Sequence, residues 1–587
     1  MKDIIIGSGI SGLTVAHQLS KNKNFEIEIY EKDNLPGGMA KSIRIKPNNV
    51  PTEHSWRGYA PFYYNLFKLL KEIPLQSEGY TIEEIEKHNN EDDMWTHYKG
   101  NVYDLTKFVK NHPGGNVILR AAGKDLGKVW EEYNVGWHEM NENVMKLLEN
   151  YKIGKVKNNA TLYDNLNHNK IDFKLLFNKM HDINHKLDFN FYDHIYLFLL
   201  FGKVILSYKK EEFFKVRLDP LLKKNLSKNA YHFVADYLAG PGFGFDKNSM
   251  SLGHYAYFME FVLFAGNWKV MKMPTSEGWI DPWVQYLKMK NVKFHFNSEL
   301  KSINYKNKKI TGLDILINKN IKKIYADDYV FALNPFNFHD ILKESNLMKM
   351  AKPYESLNIV NNQISFRLAF NKKINFNNKN TGFVLVDSPY NITFYAQEDN
   401  WDDDIKLDIN GKIKTLISGT IIQPYNNGIL FKKSALSLSL DELKKEIFAQ
   451  FLACENFTNF MKKSNVKKSN LIFSEIYNDW YEQDGMLKTK NKKWVNNFLN
   501  EEYRPTQKTD FKNMYISGSH CRTSIKIWSM ESAVESGIIT SNLLLDKYKY
   551  ENIKIHVHKS HLFIQILKFF YNFYYIFIII IITFIFS

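Results

Sequence analysis

Cysteine is almost absent from this 587-residue chain, with Cys454 and Cys521 the only two. That excludes a disulfide framework or a cysteine-rich metal site and suits a reducing compartment. Arginine is scarce as well: seven of the 78 basic side chains. The formal charge of +15 is therefore a diffuse lysine bias without the basic stripe that nucleic-acid readers need, and no nucleic-acid partner is expected. The amino terminus has no charged segment followed by a long apolar core, so no signal peptide is expected. Long uncharged runs are rare, and the main exception is terminal. Residues 569–587 carry no charge and include Ile578 to Ile582 in succession, enough for a membrane span. Lys554, Lys559 and Lys568 precede that run and no charge follows it. The positive-inside rule then predicts a single-pass tail anchor with the catalytic domains in the cytosol, and the endoplasmic reticulum is the expected membrane.

What is present in quantity is core material, 44% apolar and 15% aromatic residues, enough for about three globular domains at this length. Asp3 to Ile6 reads as a buried parallel strand. Gly7-Ser8-Gly9-Ile10-Ser11-Gly12 follows at once, and helical spacing continues from Leu13 to Leu19. In this strand–turn–helix unit Gly7 permits the turn, Gly9 lets backbone N–H groups approach a pyrophosphate, and Gly12 allows close helix packing. The phosphates belong at the helix N-terminus. A second strand, Glu26 to Tyr30, ends at Glu31 and Lys32, where an acid is placed to accept hydrogen bonds from the adenosine ribose.

The next glycine pair, Gly37-Gly38-Met39, resembles that of the flavin-containing amine oxidase and phytoene desaturase superfamily, although Met39 stands where relatives usually carry Arg. Asn513 to Cys521 and Trp528 to Gly537 resemble its closing flavin motif, and Val292 to Ile303 resembles the strand whose backbone, near Leu300, holds the adenine. The resemblance implies FAD, with Gly518, Ser519, Met530, Glu531 and Ala533 in the closing contacts. Gly518-Ser519-His520 departs from the family in lacking the acid that usually binds the ribityl chain. Glu53 to Tyr59 is a candidate ring-facing segment.

Between these motifs lies a second signature. Gly100 to Phe108, then His112-Pro113-Gly114-Gly115, then Ala122 to Asp125 resemble cytochrome b5 in order and spacing. The resemblance implies haem b with iron held by His112 and, from Val135-Gly136-Trp137-His138, by His138. Two imidazoles fill the axial positions, so such a haem transfers single electrons.

These readings predict an α/β (α+β) protein: a Rossmann-type FAD-binding domain, a mixed-sheet substrate domain, an inserted cytochrome b5-like α+β domain and a C-terminal transmembrane helix. The expected division is 1–78 and 158–545 for the flavin and substrate parts, 79–157 for the haem domain, 546–568 for a juxtamembrane linker and 569–587 for the anchor. His556, His558 and His561 are expected in that solvated linker, residues 196–206 as a core helix, and residues 240–244 as a turn. The expected function is a membrane-anchored, phytoene desaturase-like FAD oxidoreductase acting on a lipophilic small molecule, with a b5 reductase or another one-electron partner. The alternatives are an amine oxidase, or a non-catalytic flavin–haem relay serving a membrane enzyme. No catalytic base is identifiable from the pattern.

Overall fold

The computed structural model describes the chain except residues 54–56, 76–78, 158–159, 168–171, 180–186, 208–209, 239–247, 264–266, 358–359, 378, 380, 561 and 572–587. The expected turn at 240–244, His561 and most of the expected anchor lie outside the described residues. Two compact units are present, Met1–Lys68 with Asn165–Ser587, and Leu69–Asp164.

The first unit is built on five parallel strands. β1 (Lys2–Ile6) ends in the apolar run Ile4–Ile6 with Ile4 and Ile5 fully buried, as a strand covered on both faces requires. α1 (Ile10–Leu19) leads from it to β2 (Glu26–Tyr30), and β3 (Lys293–His295), β4 (Asp328–Phe331) and β5 (Met514–Ile516) complete the order β3-β2-β1-β4-β5. This is a doubly wound sheet whose ligands bind beyond the carboxyl ends of the strands. α2 (Met530–Lys547) packs against α1. Gly537 permits that approach, since a Cβ there would lie 2.6 Å from the Thr14 Cβ.

The same unit holds a mixed six-stranded sheet in the spatial order Asp172–Leu176, Thr381–Leu385, Ile392–Ala396, Thr415–Ile421, Ile364–Phe370, Leu471–Ile476. Only the first pair is parallel. Side chains alternate across it. Phe366, Phe394, Ile417 and Ile421 enter an aromatic core with Phe451 and Phe457 from the helices Leu440–Ala453 and Glu455–Lys463. The intervening positions put Ser365, Arg367, Thr393, Tyr395, Ser418 and Thr420 on the other face, so that face is polar.

The second unit has a four-stranded antiparallel sheet, Asn89–Asn90, Asp93–Tyr98, Asn101–Asp104 and Lys152–Lys155, with short helices around a core that includes Met94, Tyr98, Tyr103, Leu126 and Trp130.

The carboxyl-terminal expectations need correction. Among the described residues no helix is long and apolar enough to cross a membrane, so the C-terminal transmembrane helix, the tail-anchored topology and the membrane partner are not supported. An uncharged run meets the length requirement for a span but does not specify one. The expected solvated linker is also wrong for His558, which is buried, donates from Nε2 to the Phe62 carbonyl at 2.8 Å and lies 3.4 Å from Glu531. Burial opposes its charged form, but Glu535 and Glu531 outweigh that and hold its pKa above the ordinary histidine value. Residues 196–206 fall in the helix Phe191–Leu206, where Val204 and Ile205 are buried but Phe198 and Leu199 are exposed, so it is only partly a core helix.

Candidate functional site

A cavity of about 520 Å³ runs along the carboxyl ends of the parallel strands, within the size range of small-molecule and cofactor sites. Gly7, Gly9, Ile10 and Ser11 line it from the first turn, Glu31 and Lys32 from the end of β2, and Gly37, Gly38 and Met39 from the next turn. Leu300 lines it from the neighbouring strand Ser298–Lys306. Gly7 has φ +103°, and a Cβ there would lie 2.5 Å from the Ala332 carbonyl oxygen. At Gly12 a Cβ would lie 2.1 Å from the Gly7 carbonyl oxygen, whereas at Gly9 it would meet no protein atom within 4 Å. Gly7 and Gly12 are therefore glycine for the protein's own packing, and Gly9 leaves an open cradle at the start of α1. Gly9 caps that helix without a side-chain hydrogen bond, so its first N–H groups and positive dipole end suit a phosphate. Glu31 is buried and accepts from the Ser8 N–H at 2.8 Å, the Ser8 hydroxyl at 2.7 Å and the Asp33 N–H at 3.0 Å, which fixes the acid at the cavity edge.

The far end is closed by Gly518 and Ser519, by Met530 and Ala533 one turn apart on α2, and by the buried His520. Burial, then the nearby Arg504, push the His520 pKa down to about 3, so the ring is neutral. Arg504, itself buried, donates to the carbonyls of Ser519, His520 and Cys521 at 3.4, 3.3 and 2.5 Å and so holds this closing loop. Its ion-pair partner Glu501 (3.2 Å) is disfavoured as an anion by burial, but Arg504 and His254 outweigh that and bring its pKa to about 2. The opposite wall is the polar sheet face, with Thr393 and Thr420, joined by Gln363, Lys493 and Trp494. Arg57 and Gly58 line the cavity too, whereas the intervening residues 54–56 of the candidate ring-facing segment lie outside the described residues.

Three of the expected site residues do not line the cavity: Ser8, Gly12 and Glu531. Ser8 and Gly12 support the turn from behind. The Glu531 carboxylate accepts from the Asn65 backbone and side-chain N–H groups and the Leu66 N–H, each at 2.9 Å, and burial pushes its pKa up to about 7. It ties α2 to residues 65–66.

In the second unit, His112 and His138 share one arrangement. His112 Nδ1 is 3.1 Å from the Gly115 carbonyl oxygen and His138 Nδ1 is 2.7 Å from that of Val135. Each contact places the ring proton on Nδ1 and leaves Nε2 with its lone pair, the form in which histidine ligates iron. Phe108 meets His112 edge-on, and the indoles of Trp130 and Trp137 stack with His138, orienting both rings. A Cβ at Gly114 would lie 2.9 Å from the His112 ring, which explains the glycine there. The residues fit a bis-histidine haem.

Residues 5–73 match a family described as NAD(P)-binding Rossmann-like domain, and residues 81–157 match the Cytochrome b5-like Heme/Steroid binding domain. With a sheet order, a glycine cradle and a histidine pair that agree, the architecture is settled. The chain joins a Rossmann-like dinucleotide-binding domain and an amine-oxidase-like fold to an inserted cytochrome b5-like domain. Among curated proteins, Delta(5) fatty acid desaturase A of Dictyostelium discoideum is 41% identical over 83 residues. That match covers 14% of this chain and 17% of the relative, so the chain spans under a fifth of the relative's length. Among solved structures, a mutant putrescine oxidase matches with a TM-score of 0.55 at 13% identity, covering 93% of this chain and 99% of the other. An oxidoreductase from Methanosarcina mazei matches with a TM-score of 0.51 at 15% identity, covering 92% and 99%.

By fold the larger unit is similar to putrescine oxidase and to the Methanosarcina mazei oxidoreductase. The phytoene desaturase-like, membrane-anchored reading is corrected: the larger unit shares the putrescine oxidase fold and, among the described residues, no helix is long and apolar enough to cross a membrane. Sequence reasoning missed Arg504, Lys493, Trp494, Gln363, Thr393 and Thr420. None belongs to a local motif; alternation in the strands Ile392–Ala396 and Thr415–Ile421 was the available signal for the two threonines.

Proposed function

We propose that the chain is an FAD- and haem b-containing oxidoreductase of the amine-oxidase type, which oxidises a small molecule in the amine-oxidase-like unit and exchanges single electrons through the b5-like unit. The observation that carries this reading is the continuity of the cavity: the phosphate cradle at Gly9 and the polar face of the mixed sheet line one space. A relay protein has no use for that second wall. FAD would be held by Gly9, Ile10 and Ser11 at its phosphates, by Glu31 at its ribose and by Met530 and Ala533 at the closing end, and haem by His112 and His138. When bound, FAD supplies two-electron acceptance as hydride and haem supplies one-electron exchange. The protein's part is to position the substrate carbon, exclude water and keep His520 a neutral hydrogen-bonding wall. One chain carrying both sites holds them at an effective concentration of about millimolar, which suits a converter between two-electron and one-electron steps.

The test is cofactor analysis of the purified full-length protein followed by anaerobic mixing with candidate amines. One FAD and one haem b per chain, with amine-dependent bleaching at flavin wavelengths, are expected. A protein that binds both groups but bleaches with no substrate while exchanging electrons with a b5 reductase is a relay and overturns the enzymatic reading.

A further inference from the structure

Residues 551–560 form neither helix nor strand and run back along α2 from Asn542 to Glu531. Two asparagine side chains hold their backbone. Asn542 accepts from the Ile553 N–H at 2.8 Å and donates to the Ile553 carbonyl at 3.0 Å, and Asn65 does the same for His556 at 2.8 and 2.9 Å. Each amide satisfies one residue's N–H and C=O as a neighbouring strand would. Such contacts do not depend on which side chains the segment carries. The contact that does is made by His558, the one buried side chain of the ten.

The His558 ring sits between two buried carboxylates one turn apart on α2, with Nε2 3.4 Å from Glu531 and Nδ1 3.7 Å from Glu535. Its Nε2–H donates to the Phe62 carbonyl at 2.8 Å, and its Nδ1 lies 3.1 Å from the Ser524 hydroxyl, which accepts the His558 backbone N–H at 2.8 Å. Glu531 is also held by the N–H groups of Asn65 and Leu66, and Glu535 by those of Ser524 and Ile525. Like charges one turn apart on a helix disfavour each other, and an imidazolium between them offsets this. The other titratable groups against the ring are Tyr64 and His556, while the helix Leu252–Leu263 brings the Phe261 ring and the Tyr257 hydroxyl, which donates to the Ser524 carbonyl at 2.8 Å. Burial, then the charge of His558, push the His556 pKa down, so the cation belongs on His558.

The segments that meet at His558 also wall the cavity. Met530 and Ala533 line it from α2, Tyr63 lines it beside Phe62, and Ser519 and Trp528 line it on either side of Ser524 and Ile525 in the chain. We infer that residues 551–560 are a strap and His558 a positioning residue, which as a cation between Glu531 and Glu535 draws these three segments together and so shapes the closing end of the cofactor site. As pH rises through the raised pKa of His558 the ring loses its charge, the two carboxylates are left buried without it, and the strap loosens. The wall behind the cofactor loosens with it. The inference rests on the cofactor reading and adds to it a part of the chain that never enters the cavity.

The test uses the full-length protein at pH 6 and pH 9, with hydrogen exchange of residues 551–560 read by mass spectrometry and FAD affinity read by flavin fluorescence. After correction for the intrinsic exchange rate, protection of the strap is expected to fall about 10-fold more at pH 9 than that of the strand Ile364–Phe370, since linkage allows up to about 10-fold per pH unit. FAD should bind about 5-fold more weakly at pH 9. His558→Lys, which keeps a cation at both pH values, should retain strap protection at pH 9 and bind FAD there about 3-fold more tightly than wild type. His558→Gln, which keeps hydrogen bonding without charge, should expose the strap and weaken FAD about 5-fold at pH 6. A wild-type strap whose relative protection ignores pH overturns the inference, and this readout decides by itself if a variant does not fold. So does a His558→Lys strap that loosens at pH 9 as wild type does, or a His558→Gln protein that releases the strap yet binds FAD like wild type. A wild-type protein that binds no FAD is recognised before any variant is made, and it sinks the cofactor reading and this inference together.

Discussion

Replacing Gly9 and Gly12 in turn by alanine separates the two jobs that glycine does in one turn. At Gly12, inside α1, alanine gains about 1 kcal/mol in helix propensity. Its Cβ would nevertheless sit 2.1 Å from the Gly7 carbonyl oxygen and 3.1 Å from the Ala332 Cβ, and the first of these is backbone that cannot swing aside. Overpacking costs about 1–3 kcal/mol where side chains can adjust, so a net loss of about 2 kcal/mol or more is expected, visible as a lower Tm of the cofactor-free protein. At Gly9, φ is −70°, alanine is unstrained, and no protein atom lies within 4 Å of the new methyl. Apoprotein stability should therefore change by less than about 1 kcal/mol, the scale of an altered N-cap. If the pyrophosphate occupies that open space, the methyl displaces it from the N–H groups of α1. FAD affinity should fall at least 100-fold, which corresponds to about 2.8 kcal/mol. The assay is titration of apoprotein with FAD by flavin fluorescence, beside thermal unfolding of the same preparation. Gly9→Ala protein that binds FAD within 2-fold of wild type would refute the cradle, and an unchanged Tm for Gly12→Ala would refute the packing argument.

Other outcomes follow from the same geometry. His112→Ala and His138→Ala should each abolish the low-spin haem spectrum while FAD stays bound, because each Nε2 is the atom left free by its Nδ1 contact; a His138→Ala protein with an unchanged spectrum would show that another residue ligates. Asp3 is fully buried with neither carboxylate oxygen paired among the described residues, and burial, then Asp328, raise its pKa from 3.8 to about 8. The folded state therefore binds the extra proton between those values, so stability falls as pH rises from about 4 to about 8 and levels beyond, by up to about 5 kcal/mol at 1.36 kcal/mol per unit. Asp3→Asn adds a constant cost for its amide but should remove this slope, shrinking the difference in Tm between pH 5 and pH 9; an unchanged difference would show that Asp3 ionises normally in the fold.

How far sequence reading reached depended on how local each signal is. The cradle is encoded within Gly7 to Gly12, where the strand, the positive φ and the helix start are consecutive. Each histidine of the second unit is oriented by a carbonyl three residues away, so those pieces are legible without the fold. Lys493 and Trp494 reach the cavity only because their short strand pairs with Val360–Asn361, about 130 residues earlier, and Thr393 and Thr420 matter only because the mixed sheet turns one particular face inward. Strand alternation marks two faces but cannot say which one meets a cofactor. His558 shows the same limit in its charge: in sequence it stands among lysines, yet folding sets it against Glu531 and Glu535 at the start of α2. The carboxyl-terminal run misled for the opposite reason: hydrophobicity is legible residue by residue, but length and apolarity alone do not specify a membrane span, and no described helix is long and apolar enough for one.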